Sequence, residues 1–128
     1  MLRLAKRLAF ITAAAGVRLV INDFPEIAAE VDATTAHLGQ EDFFDVGHQQ
    51  VDEVKPSGSS LELGLSTHAP YQAKRACKAG ADYVAIGPVF ATRTKPGRPG
   101  VTLEYVRWAA ANIDRCLLYT SPSPRDRG

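Results

Sequence analysis

The chain has 128 residues, 15 Lys and Arg against 14 Asp and Glu, and 45% hydrophobic residues. That length suits one domain with a modest core, and a formal charge of +1 lacks the basic excess of a nucleic-acid binder. No apolar run is long enough to span a bilayer, and Cys77 and Cys116 match no metal or redox spacing, so reduced thiols in a cytoplasmic setting are expected, with Cys77 a small core residue.

Residues 2–15 predict an amphipathic helix, with Leu2, Leu4, Leu8 and Ile11 at helical spacing and Gly16 as its stop. Arg3, Lys6 and Arg7 before an apolar run loosely mimic a signal peptide, but the interleaved leucines favour the helix. Residues 17–21, rich in β-branched side chains, predict a strand that ends in Asn22-Asp23. Pro25 suits the first position of a short helix over 26–31. A weak strand over 35–38 follows and ends in Gly39-Gln40-Glu41-Asp42. Residues 43–54 are mixed and partly helical in pattern, and 55–60 (Lys-Pro-Ser-Gly-Ser-Ser) are a loop. A third strand over 61–65 ends in Ser66-Thr67-His68, and Pro70 opens a helix to about Lys78 with Gly80 as its cap. The strand 83–86 then breaks at Gly87-Pro88 into a loop bearing Thr92, Arg93, Thr94 and Lys95. Thr102 is placed to cap a last helix carrying Leu103, Val106, Trp108 and Ala109.

Strand and helix alternate with short connections, the pattern of βαβ units in a parallel sheet. Each of the four strands is followed directly by a polar set, so the four sets share the C-terminal edge of the sheet, where α/β folds place their chemistry. Residues 1–115 form this domain; residues 116–128, ending Ser-Pro-Ser-Pro-Arg-Asp-Arg-Gly, cannot build a core and are expected to be a disordered, non-native tail.

Asp23 and Asp42, on adjacent strand ends, can converge on one hard cation such as Mg²⁺, which takes one or two carboxylates beside water and phosphate oxygens. Each has an ordinary alternative: Asp23 as a helix cap, Asp42 as a solvated carboxylate. Lys95 can neutralise phosphate oxygens as a point charge or simply be a surface lysine. Ser66 and Thr67, before a helix, suit an anion or N-capping. Asn22 and Gln40 offer amides to a polar ring or a pyrophosphate oxygen. His37 reads as interior, and His68 as either an acid/base residue or a rim histidine. No Ser-His-Asp, Cys-His, Rossmann or P-loop pattern is present. The residues point to metal-assisted chemistry on a phosphorylated small molecule.

The ordered set LVIND (19–23), HLGQED (37–42), GLSTH (64–68), GADYV (80–84) and IGPVF through TRTKPG (86–97) resembles the thiamine-phosphate synthase family over residues 2–112. The resemblance implies a partial (β/α)₈ TIM barrel of about four βα units, barrel strands 3 to 6. It implies a transferase that joins hydroxymethylpyrimidine diphosphate to a thiazole phosphate, with diphosphate leaving first. It places Mg²⁺ on Asp23 and Asp42, diphosphate on Asn22, Ser66 and Lys95, the thiazole phosphate near Thr92 and Thr94, and the pyrimidine beside Gln40. Ser66 and Lys95 are then the candidate catalytic residues. The expected partners are small-molecule substrates, with no nucleic acid or membrane; a homo-oligomer is open. Departures from the family pattern are Phe24-Pro25 after the Asn-Asp pair, Asp32-Ala33-Thr34-Thr35 in place of Gly-Ala-Asp-Gly, and extra residues near 55–60. The family's first and last strands have no counterpart here, so the sheet is expected to be open and the fragment inactive alone. A thiazole tautomerase-like isomerase of the same fold and a non-catalytic phosphate-binding module are the alternatives.

Overall fold

The structure is a computed structural model that describes residues 2–87, 103–114 and, as backbone, 116–119. It is an α/β fold whose elements alternate as the sequence predicts: α1 (Leu2–Ala15), β1 (Val20–Asn22), α2 (Pro25–Glu30), β2 (Thr35–Leu38), α3 (Gln40–Phe43), a 3₁₀ turn (Val51–Glu53), β3 (Glu62–Thr67), α4 (Pro70–Lys78), β4 (Tyr83–Ile86), α5 (Leu103–Asn112) and β5 (Cys116–Tyr119). The contacts divide into two compact units, Met1–Gly64 and Leu65–Gly128, with the division inside β3. The cause is local: a βα unit packs its helix on its own strands, so contacts concentrate among near neighbours in sequence.

In the first unit the strand order is β1-β2-β3. β1 and β2 are parallel, with Val20 opposite Thr35, Ile21 opposite Ala36 and Asn22 opposite His37. The Glu62 N–H donates to Thr34 O at 3.0 Å where β3 begins. The core holds Ile21, Ala28, Ala36, Leu38, Leu63 and Phe43, and Phe43 is fully buried with its ring edge-on to Phe44. α1 forms over its predicted span, and Gly16 at φ 71 closes it through Val17 N–H to Thr12 O at 2.8 Å. Its apolar face is barely used, however. Only Ala5 is buried, while Leu4, Phe10 and Ile11 remain exposed.

In the second unit the order is β3-β4-β5. α4 buries Ala73 and Ala76, whose small side chains let a helix lie close to the strands. Val84, Ala85 and Ile86 of β4 are buried, as continuous apolar strands covered on both faces should be. Cys77 is only half-buried, contrary to the core position expected for it; with Lys74, Asn112, Ile113 and Asp114 it lines a separate cavity. Residues 116–119, expected in a disordered tail, instead form β5. The apolar Cys-Leu-Leu-Tyr run pairs in parallel with β4, Tyr83 opposite Cys116 through Ile86 opposite Tyr119. Five strands rather than four therefore stand among the described residues. The proposed Thr102 cap, the 88–102 loop and the remaining tail lie outside those residues.

The two units repeat one helix-to-strand connection. After α4, Gly80 (φ 92) donates its N–H to Cys77 O and Ala81 donates to Ala76 O, the hydrogen-bond pair of a left-handed helix end. After α2, Asp32 (φ 57) and Ala33 make the equivalent bonds to Ala29 O and Ala28 O. Asp32 thus occupies a backbone position that favours glycine, and asparagine or aspartate next.

Candidate functional site

The first unit brings Asp23 and Asp42 to one place. Asp23 directly follows β1, and Asp42 sits in the first turn of α3, just beyond the end of β2. Both line a single open cavity of about 610 Å³, shared with Phe24, Pro25, Glu26, Leu38, His48, Glu53 and Val54.

The chain reaches this geometry through a short strained turn. β1 stops at Asn22, and the Asp23 N–H continues the ladder by donating to His37 O at 2.9 Å. Asp23 then turns left-handed at φ 73, which Asp tolerates better than most residues. Phe24 precedes a proline and stays extended in φ at −129°, and Pro25 opens α2 at its first position. Phe24, not Asp23, is the N-cap of α2, and it makes no side-chain cap bond. The ordinary alternative for Asp23, a helix cap, is thereby removed. On the other strand, Gly39 is the N-cap of α3 with an extended backbone, and the Asp42 Oδ2 atom would lie 3.9 Å from a Cβ built there.

The cavity is strongly acidic. Asp23, Glu26, Asp42 and Glu53 supply four carboxylates, and His48 supplies an imidazole. Glu53 is held below the usual carboxylate range, first by the backbone N–H groups of Gln49 and Gln50, which donate to its Oε2 at 2.7 and 2.6 Å. The nearby His48 adds a smaller electrostatic contribution, its Nδ1 lying 3.9 Å from Oε1. Hard oxygen donors of this kind suit Mg²⁺ or Mn²⁺ rather than a soft metal. Among the described residues no group of three or more His, Cys, Asp or Glu could hold a metal unaided. Two carboxylates that leave the remaining positions to water and ligand oxygens fit the way Mg²⁺ is usually bound.

The other residues singled out from the sequence are placed as follows. Asn22 ends β1 and is exposed beside Asp23. Gln40 heads α3 and is only 7% exposed. In the second unit, Ser66 and Thr67 lie within β3 rather than after it, and neither caps α4, whose N-cap is Ala69. Ser66 is half-buried. Thr67 is fully buried, and its hydroxyl donates to Ala85 O at 3.0 Å and meets the Tyr105 hydroxyl, so it fastens the core instead of facing an anion. His68 commits Nδ1–H to Gly87 O at 2.7 Å, since a carbonyl can only accept. The His68 N–H donates to Gln72 Oε1. Thr92, Thr94 and Lys95 lie outside the described residues. Glu26, His48 and Glu53 were not anticipated in the site. The only local signal was the spacing of Gln50 and Glu53, which suits a carboxylate reaching back to a helix-start N–H.

Comparison with known proteins agrees with this fold. A family model described as thiamine monophosphate synthase matches residues 1–120. Thiamine-phosphate synthase of Thermus thermophilus is 43% identical over 112 residues, which is 88% of this chain and 51% of that protein. The Gloeobacter violaceus thiamine-phosphate synthase is 41% identical over 114 residues, 89% of this chain and 32% of its own. The chain thus spans about half or less of these curated relatives. Among solved structures, thiamine phosphate pyrophosphorylase from Pyrococcus furiosus superposes with a TM-score of 0.79 at 23% identity, covering 98% of this chain and 57% of that one. By its family match and by its identity to these relatives over most of its length, the chain belongs to the thiamine monophosphate synthase family.

Proposed function

We propose that this chain carries the Mg²⁺-binding half of a thiamine-phosphate synthase, a partial (β/α)₈ barrel whose complete form joins hydroxymethylpyrimidine diphosphate to thiazole phosphate. One observation carries the reading. In a chain of this family, Asp23 and Asp42 line one cavity at the C-terminal ends of two parallel strands. That edge is where barrel enzymes assemble their sites.

Asp23 and Asp42 hold the cation, and Asn22, beside Asp23, offers its amide to a diphosphate oxygen. A Mg²⁺ ion held there supplies neutralisation of the charge that builds on the departing diphosphate. Gln40 presents an amide for the pyrimidine ring. The family resemblance adds Ser66 and Lys95 as residues for the diphosphate, and Thr92 and Thr94 as residues for the thiazole phosphate. No protein nucleophile is required, because the reaction's demand is for charge stabilisation at the leaving group.

Two measurements test the reading. Mn²⁺ binding to the purified chain, followed by electron paramagnetic resonance, should be lost in Asp42→Asn and Asp23→Asn. Equal affinity in the wild type and both variants would sink it. Supplied with both substrates and Mg²⁺, the 128-residue chain should form little or no thiamine phosphate, since it spans about half of its relatives' length. Ready turnover would show that the fragment is self-sufficient. An isomerase of the same fold has no need of the carboxylate pair, so a wild-type chain that binds no cation favours that alternative.

A further inference from the structure

His48 and Glu53 line the same cavity as Asp23 and Asp42, and the reading above gives them no role. Both are fixed in place. The His48 N–H donates to Phe43 O at 3.1 Å, and its ring lies 5.6 Å from that of Phe43, the fully buried residue next to Asp42. Glu53 is tied by the Gln49 and Gln50 N–H groups. Its Oε1 atom stands 3.9 Å from His48 Nδ1, so the carboxylate sits beside the ring.

The lining then poses a problem of charge. Four carboxylates line the cavity in which, on the reading above, a diphosphate binds with its cation. Beyond the contacts proposed above for Asn22, Ser66 and Lys95, oxygens not on the cation need donors, and the carboxylates and the Phe, Pro, Leu and Val side chains of this lining supply none. Among the described lining residues, His48 is the only side chain with an N–H. We propose that His48 is an anion-binding residue of this site, donating its imidazole N–H to a phosphate oxygen of the metal-bound diphosphate, with Glu53 as its positioning residue. This rests on the reading that Asp23 and Asp42 hold Mg²⁺.

The test is calorimetric titration of the 128-residue chain with Mg²⁺ alone, and then with inorganic diphosphate at saturating Mg²⁺. His48→Phe keeps a ring against Phe43 and removes the donor. His48→Gln restores an N–H. We expect His48→Phe to bind Mg²⁺ as the wild type does and diphosphate about tenfold more weakly, the worth of one charge-assisted hydrogen bond. His48→Gln should recover most of that loss. If His48→Phe binds Mg²⁺ and diphosphate as the wild type does, the role of His48 is overturned while the carboxylate reading stands. If both variants lose Mg²⁺ as well, His48 is structural and the proposal fails. A wild type that binds no Mg²⁺ removes the underlying reading itself.

Discussion

Thr67 and Tyr105 offer a direct measure of how β3 is locked in the second unit. The Thr67 hydroxyl is fully buried, donating to Ala85 O and touching the Tyr105 hydroxyl; Tyr105 is 5% exposed. Thr67→Val keeps the shape but removes both bonds. Each net hydrogen bond contributes about 1 kcal/mol, so a loss of about 2 kcal/mol is expected. Tyr105→Phe removes one bond while Thr67 keeps Ala85 O, for about 1 kcal/mol. Both single variants lose the Thr67–Tyr105 bond, so it is counted twice in their sum. The double variant's loss should then be smaller than the sum by about 1 kcal/mol, the coupling of two contacting groups. Urea unfolding followed by far-ultraviolet circular dichroism measures all four proteins, with an unchanged slope as the condition for comparison. Additivity within about 0.5 kcal/mol would refute the contact as an energetic unit.

Other predictions follow from the backbone and the titrating groups. Asp32→Gly should stabilise the chain by about 0.5–1 kcal/mol, because Asp32 is left-handed at a glycine-favouring helix end. Gly80→Ala, the mirror experiment, should cost about 1–2 kcal/mol. Thermal melts check both, and destabilisation by Asp32→Gly would mean that its carboxylate does more than fill a turn. Burial is the first cause of the raised Tyr105 pKa, opposed by the Thr67 bond. Its contribution to stability is therefore complete below about pH 10, the unfolded value, and falls as pH rises from there through the folded one. Tyr105→Phe should abolish that alkaline slope in urea midpoints. Glu53 has the opposite sense. Its lowered pKa gives stability above about pH 4.3 that fades as pH falls through the folded value, and Glu53→Gln should flatten that acid limb.

Much of this arrangement was legible in the residues. Pro25 and Pro70 begin α2 and α4 as their fixed φ dictates, Gly16 and Gly80 end α1 and α4, and β2 and β4 fall on their predicted spans. Errors arose where tertiary context overrides local pattern. β3 continues through Ser66 and Thr67 because Thr67 can bury its hydroxyl against Ala85 O and Tyr105, partners 18 and 38 residues away. Gln40 to Asp42, read only as a polar strand end, instead wind into α3 with Gly39 as the cap. Cys116–Tyr119 looked like the start of a tail, and only its pairing with β4 makes it a strand. The convergence of Asp23 and Asp42 could be anticipated, since both follow adjacent strands. The presence of His48 and Glu53 could not, because it depends on how the irregular segment after α3 folds back to the cavity.

Asp23 separates a backbone role from a chemical one. Its φ of 73 is sterically disfavoured, and it caps no helix. If only the turn mattered, glycine would serve better there. Asp23→Gly should therefore leave the chain at least as stable, with a gain of up to about 1 kcal/mol, yet remove one of the four carboxylates that line the cavity. Asp23→Asn keeps the left-handed tolerance and the size, so its stability should match the wild type within about 0.5 kcal/mol. Both variants should lose Mn²⁺ binding. Stability and binding then move independently, which a purely structural aspartate could not produce. A Gly variant that is more stable and still binds Mn²⁺ would make Asp23 a turn residue, and would leave Asp42 as the sole carboxylate of the proposed pair.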